Sequence, residues 1–200
     1  MGKAMDLFKE ILCGDLDNRQ QVANERALGK QIHPYAKHVT RVCDHRVKHR
    51  PEGHEGMYVL EESYYVYPGQ EAQIKPLFFY LREQEDTVLL QSLVVPERWD
   101  HKEVVNSNES LSFEFEELVI NERFGTAEYV MVEDIFFTVN HPCDFGGGIT
   151  FRLVETLHRD GLSVMEITKK DGVIITPYDT PLEYKKYTEP LPSGFLDYTQ

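Results

Sequence analysis

The sequence predicts a mainly β protein, an antiparallel calycin-like β-barrel with helices at its N-terminus. Three observations carry that reading. Apolar and polar residues alternate with a period of two over several stretches, as in Leu111, Phe113 and Phe115 against Ser112, Glu114 and Glu116, which is the pattern of a half-buried strand. Two Asp-Gly pairs, Asp160-Gly161 and Asp171-Gly172, separate apolar runs near the C-terminus. Asp-Gly supplies the positive φ that two-residue hairpin turns need. No helical stretch falls between the strands, so the βαβ spacing of a parallel sheet is missing, and closure into an up-and-down barrel removes the exposed edges that such a meander would leave.

In chain order, Ala4, Leu7, Phe8, Ile11 and Leu12 form the apolar stripe of a short amphipathic helix, which Gly14 ends. Asp17 stands three residues before Gln20 as a capping box for a second helix through Val22, Ala23 and Ala27, stopping at Gly29. His38 to Cys43 reads as the first strand and Met57 to Tyr67 as the next. Ile74 to Leu81 and Thr87 to Val95 form a hairpin around the acidic turn Glu83 to Asp86, and Arg98 to Glu109 is a polar loop. Ala127 to Val139 is long enough for one bulged strand or for two with a tight bend. Gly146 to Gly148 form a flexible hinge, and a three-stranded meander follows from Ile149. The count is about eight to ten strands. One domain is expected, with a helical cap over 1–30, a barrel over 38–186 and an extended tail over 187–200.

Composition fits this picture. Of 200 residues, 41% are hydrophobic and 28% charged, which excludes a disordered or membranous chain. Eleven Tyr and eleven Phe against one Trp favour strands. A net charge of -13 repels phosphate backbones and speaks against nucleic acid as a partner. No segment approaches the roughly 20 apolar residues of a membrane span, so no membrane partner is expected. The opening carries no signal-peptide pattern. Three scattered cysteines, Cys13, Cys43 and Cys143, suit a reduced, cytoplasmic protein.

Several short stretches in order resemble the CpcT/CpeT family of phycobiliprotein chromophore (bilin) lyases. They are Gly14-Asp15-Leu16-Asp17-Asn18-Arg19-Gln20-Gln21, then His38-Val39-Thr40-Arg41, then Tyr58-Val59-Leu60-Glu61-Glu62-Ser63-Tyr64, with Glu62 where the family has Gln, and later Arg159-Asp160-Gly161. The chain departs from the family after the Glu-Tyr strand, where Pro68 to Lys75 holds no Arg and so lacks the family's Tyr-Arg-Gln motif. The family's central cysteine-bearing, glycine-rich segment is not matched either, unless Cys143 near Gly146 is its remnant. The resemblance implies a barrel with a pocket for a tetrapyrrole. It also implies a bilin as bound substrate rather than a resident cofactor, and a partner phycobiliprotein subunit whose cysteine receives the chromophore. A second copy of the chain is a further admissible partner.

A bilin needs a cation for its propionates, carboxylates for its pyrrole nitrogens and aromatic walls. Arg41, Tyr58, Glu61, Glu62 and Tyr64 supply these types. Neighbours on a strand point to opposite faces, so Tyr58, Glu62 and Tyr64 share one face and Glu61 shares the other with Val59 and Ser63. The alternative is that these are ordinary surface carboxylates and barrel aromatics. No metal site is expected, because His45, His49 and His54 lack zinc spacing and no CxxC occurs. His141-Pro142-Cys143-Asp144 reads as a structural turn. Cys43 near His38 and His45 leaves a Cys-His nucleophile open beside the commoner buried cysteine. No GxSxG, P-loop or GxGxxG motif is present, and catalytic residues are not assigned. Besides the bilin reading, two others stay open: a non-enzymatic binder of another apolar molecule, and a structural or interaction domain with a filled barrel.

Overall fold

The computed structural model describes residues 2–188. Ten antiparallel strands close into a barrel in which each strand pairs with its neighbours in sequence and the last pairs with the first. They are β1 (Gly14–Asp17), β2 (Tyr35–Val42), β3 (Met57–Val66), β4 (Gln73–Gln84), β5 (Thr87–Val94), β6 (Thr126–Val132), β7 (Phe136–Gly146), β8 (Ile149–His158), β9 (Gly161–Lys170) and β10 (Leu182–Tyr187). Leu16 shows the closure: it lies opposite His38 of β2 on one side and Lys186 of β10 on the other. No helix among the described residues is long and apolar enough to cross a membrane.

The first helix, α1 (Lys3–Leu12), buries Ala4, Met5, Leu7, Phe8, Ile11 and Leu12 across one end of the barrel. Burying a side chain the size of Leu, Phe or Met stabilises by about 1.5–3 kcal/mol, so this helix is held by packing rather than by intrinsic propensity. Phe8 meets Tyr129 and Phe137 edge to face, both at 5.0 Å. The barrel also satisfies both ends of α1. The Glu83 carboxylate accepts from Gly2 N (2.6 Å) and Ala4 N (3.0 Å), while Lys186 Nζ donates to the carbonyls of Ile11 (2.9 Å) and Glu10. An anion at the N-terminus and a cation at the C-terminus complement the helix dipole.

The second helix, α2 (Arg19–Ala27), lies outside the barrel against β10 and β2. The expected Asp17–Gln20 capping box does not form. Asn18 is the N-cap, and its side chain ties the helix start to the beginning of β2, donating to Pro34 O (2.9 Å) and accepting from Ala36 N (2.8 Å). Asp17 belongs instead to β1, a strand inside the stretch that reads as helical. The helix does close before Gly29, whose φ of 79° suits the residue beyond a helix end.

Three further expectations are corrected by the structure. Leu111, Phe113 and Phe115 do not line a barrel strand. Phe113–Glu114 is a two-residue strand parallel to Val47–Lys48, followed by a 3-10 turn. Leu111 and Phe113 are buried because this segment lies over the outside of β3 and β4, forming a second core with Tyr58, Leu60, Phe78 and Val104. The buried Arg46 staples the segment by donating to Asn106 O (2.8 Å) and Leu111 O (3.2 Å). Gly146 to Gly148 are no hinge: they make the tight β7–β8 hairpin, with φ of 75°, 57° and 78°. The β8–β9 loop is Arg159-Asp160 rather than Asp160-Gly161, and neither Asp160 nor Gly161 has positive φ. Gly161 is required for another reason, since a Cβ there would collide with the carbonyl oxygen of Tyr184 on β10.

At Asp171-Gly172 the expected hairpin does form, with φ of 49° and 82°. Between Ala127 and Val139 the structure takes two strands, β6 and β7, turned by Glu133 and Asp134 at positive φ. Of the expected C-terminal tail, Tyr187 is the last residue of β10, and 189–200 lie outside the described residues.

Candidate functional site

Above the α1 plug the lumen is not filled by side chains. It holds a cavity of about 640 Å³ that runs toward the opposite end of the barrel, within the usual range of roughly 300–1,000 Å³ for ligand pockets. Residues directly across an antiparallel pair share a face, so the registers name the inward set strand by strand. His38 and Thr40 face inward on β2; Glu61, Ser63 and Tyr65 on β3; Lys75 on β4; Tyr129 on β6; Glu155 on β8; and Glu166 on β9. Near α1 the walls are apolar, with Leu90, Leu162 and Leu182. Phe124, Phe145 and Phe151 pack together among the residues of the far wall, with Phe145 and Phe151 stacked 5.7 Å apart.

Three carboxylates therefore face one lumen. Glu61 is 6% exposed and held by two hydroxyls: Ser63 Oγ donates to Oε1 (2.8 Å) and Thr40 Oγ1 to Oε2 (3.1 Å). Glu155 accepts the hydroxyl of Tyr129. Burial pushes the Glu155 carboxyl up to about 8, against the Tyr129 hydrogen bond that favours ionisation, with the charges of Glu61 and Glu166 adding to the rise. Burial also raises Glu166, with Lys75 and His38 pulling the other way. Glu166 keeps accessible surface and lines the cavity. Lys75 is the one Lys or Arg among the described residues that line the cavity.

His38 stands apart. It is 6% exposed, packs against Tyr184 at 4.4 Å, and neither ring nitrogen makes a hydrogen bond. Its Nδ1 lies 3.6 Å from Glu61 Oε1, an ion-pair distance but too long for a hydrogen bond. Buried imidazoles ordinarily find hydrogen-bond partners, which sets this one apart from the other histidines of the barrel.

No protein-family model matches the chain, and none of the curated proteins matches it. Among solved structures, it resembles the CRL protein of Arabidopsis in its selenomethionine form, at 14% sequence identity and a TM-score of 0.55, over 92% of this chain and 97% of the other. That likeness shows the fold.

Of the five residues singled out in the sequence, Glu61 faces the lumen. Arg41, Tyr58, Glu62 and Tyr64 lie on the outer face. Arg41 Nη2 pairs with Asp15. Glu62 accepts from the Tyr64 hydroxyl and from Asn106 N (2.7 Å), and the Tyr64 ring lies 4.6 Å from Lys37 Nζ. Tyr58 joins the second core, where its hydroxyl meets His54 Nε2 at 3.0 Å. The expected grouping of Tyr58, Glu62 and Tyr64 against Glu61 holds, and the structure adds which face is inside.

The other sequence candidates separate. Cys43 lies in the outer core, where burial pushes its thiol up, while His38 lies in the lumen, so they form no dyad. His49 Nδ1 meets Glu114 (2.6 Å). His141 and Cys143 stand in β7 rather than a turn, and both meet the carbonyl of Phe124, at 2.6 and 3.3 Å. No group of three His, Cys, Asp or Glu among the described residues could hold a metal ion.

The residues missed in the sequence are Glu155, Glu166, Lys75 and Tyr129. A signal for two of them existed. Glu155 stands in phase with Leu153 and Leu157, and Glu166 with Leu162 and Val164, so each puts a carboxylate at an apolar, inward position of its strand.

Proposed function

We propose that this barrel binds an open-chain tetrapyrrole, or a similar amphipathic heterocycle, in its lumen. The observation that carries the reading is the cavity with three inward carboxylates on a wall that is largely apolar and aromatic. A bilin offers pyrrole N–H groups to such acceptors, flat rings to the aromatic side chains and propionates to Lys75. The resemblance to the CpcT/CpeT family supports the same ligand class, and its motif residue Glu61 is the one that faces the cavity.

The finer reading is a chromophore lyase with a phycobiliprotein subunit as partner. The barrel would hold the bilin while the partner's cysteine thiolate adds to the ethylidene carbon of the end ring. A C–S bond forms, the carbon–carbon π bond breaks and a proton is taken up by the ring carbon. The barrel's contribution is orientation, together with a carboxyl that still carries its proton near neutral pH. The alternative is a binder of another apolar molecule with no chemistry of its own.

The test is an absorbance titration of the purified protein with phycocyanobilin, phycoerythrobilin and heme. The expected result is a saturable red shift with a bilin that weakens at least tenfold in Glu155→Gln and is unchanged in Glu62→Gln. A flat response to all three pigments overturns the tetrapyrrole reading. Saturable binding without transfer to a phycobiliprotein subunit leaves the binder and removes the lyase.

A further inference from the structure

The lumen's charges also specify the form of the ligand. Carboxylates are seldom buried without a cation, because desolvation costs more than neutral hydrogen bonds return. Here three carboxylates, Glu61 buried, Glu155 half-buried and Glu166 with accessible surface, line one cavity whose walls bring a single Lys, at β4. The hydrogen bonds they receive leave capacity over. Glu61 takes one hydroxyl on each oxygen and Glu155 takes one from Tyr129, whereas a carboxylate offers about four lone-pair sites. His38, whose ring nitrogens make no hydrogen bond, stands beside Glu61 and is a second, independent sign of a group not yet bound.

The aromatic rings around this belt agree in sign. Tyr65 and Tyr184 flank His38, and Tyr129 lies at Glu155. Ring faces attract cations. An anionic or purely apolar occupant would bring these carboxylates no cation beyond Lys75. Lys75 lies 5.3 Å from the centroid of Tyr65, near β4's first residues and away from the α1 plug.

We infer that the belt of Glu61, Glu155 and Glu166 receives the nitrogen-bearing centre of its ligand as a cation, with any acidic arm of the ligand turned toward Lys75. For its natural ligand this rests on the tetrapyrrole reading, but the charge preference itself does not. With a bilin, the imine nitrogen of the pyrrole system takes the proton of the Glu155 carboxyl. One N–H bond forms and one O–H bond breaks, leaving a cation paired with carboxylates and requiring no other reagent. Burial that keeps Glu155 protonated when the lumen is vacant makes that proton available.

Two probes separate the inference from the reading beneath it. The first is phycocyanobilin at pH 7.5. Wild-type protein is expected to hold it with the long-wavelength band of the protonated chromophore, and Glu61→Gln/Glu155→Gln is expected to bind it with the spectrum of the neutral pigment. Lys75→Met is expected to lose about tenfold in affinity for the free acid and nothing for the dimethyl ester. The second probe is a pair of tricyclic dyes of similar shape and opposite charge, cationic pyronin and anionic resorufin, followed by fluorescence anisotropy.

Wild-type protein is expected to prefer pyronin by at least tenfold, and the double Gln variant to lose the preference. Glu62→Gln, on the outer face, serves as a folded control and is expected to keep it. A neutral bilin spectrum in the wild type, or equal binding of the two dyes, overturns the inference even if bilin binds. A clear pyronin preference without bilin binding sustains the inference and removes the tetrapyrrole reading.

Discussion

The outer face of β1 to β3 and the lumen of the barrel both hold acidic residues, and they handle them in opposite ways. Outside, each carboxylate has a basic or donor partner. Asp15 takes Arg41, and Glu62 takes Tyr64 and Asn106 N. Asp17, 1% exposed, takes Arg19 Nε at 2.6 Å, its backbone N at 3.1 Å and the hydroxyls of Tyr35 and Tyr187, both at 3.0 Å. Inside, Glu61 and Glu155 accept hydroxyls, and together with Glu166 they line a cavity. The difference teaches that carboxylate burial alone does not mark a site. The outer cluster joins β1, β2, β10 and the start of α2, so it is spent on holding the chain together, whereas the inner belt retains unused hydrogen-bonding capacity and faces a void.

The comparison breaks most visibly at Asp17. Asp17→Ala removes one side of a buried network that includes an ion pair, which typically costs about 3–5 kcal/mol. Urea denaturation should show that loss, and affinity of the remaining folded protein for a lumen ligand should stay unchanged. A large affinity loss at full stability would place the outer cluster in the site.

Glu155→Gln should move the other way. A carboxyl whose folded value is raised to about 8 from an ordinary 4.5 stays protonated in the native state while the unfolded chain ionises. Stability is therefore lost as pH rises from about 4.5 through about 8. The Gln variant should be more stable than wild type above pH 8, by roughly 2 kcal/mol. That is less than half of what ~1.4 kcal/mol per pK unit over the whole shift would give, since this group borders a cavity. Thermal melts at pH 5 and pH 9 read it directly: the wild-type melting temperature should drop between them, and the variant's should drop less.

Glu62→Gln sharpens the contrast on a smaller scale. The amide oxygen can still accept from Asn106 N, so a cost of about 1 kcal/mol is expected, with no change in ligand spectra. An effect of similar size is expected at Gly172, where nothing lies within 4 Å of an added Cβ but φ is +82°. Gly172→Ala should cost about 1 kcal/mol through backbone strain alone. Gly161→Ala, at an ordinary φ, should cost more, because its Cβ would meet the backbone of β10.

How much of this was legible in the sequence differs by element. The apolar runs of β4 and β5 with the acidic turn between them, the alternation of Ile149, Phe151 and Leu153 in β8, and the amphipathic α1 are recoverable because each is a local pattern. Strand β1 is not, since Gly14 to Asp17 are four residues with one apolar side chain, and their strand state comes from pairing with β2 and β10. The alternation at Leu111 to Phe115 misled for the converse reason. Its apolar residues are buried, but by lying across the outside of the barrel rather than within its wall. As for the site, Glu61 was named from its motif, while Glu155 and Glu166 could have been found only as carboxylates in phase with leucines.

By itself, then, the sequence determined the β class, the amphipathic α1, the type of turn at Asp171-Gly172 and the division of Tyr58, Glu62 and Tyr64 from Glu61. All of these follow from local periodicity and backbone preference. Only the tertiary structure decided which face of β3 is the inside, because residues 57–63 are buried on both faces. The lumen covers one and the 95–118 segment the other. It also decided that carboxylates more than ninety positions apart, Glu61 with Glu155 and Glu166, share one cavity. That proximity comes from closure of the sheet, a long-range pairing that no local pattern encodes.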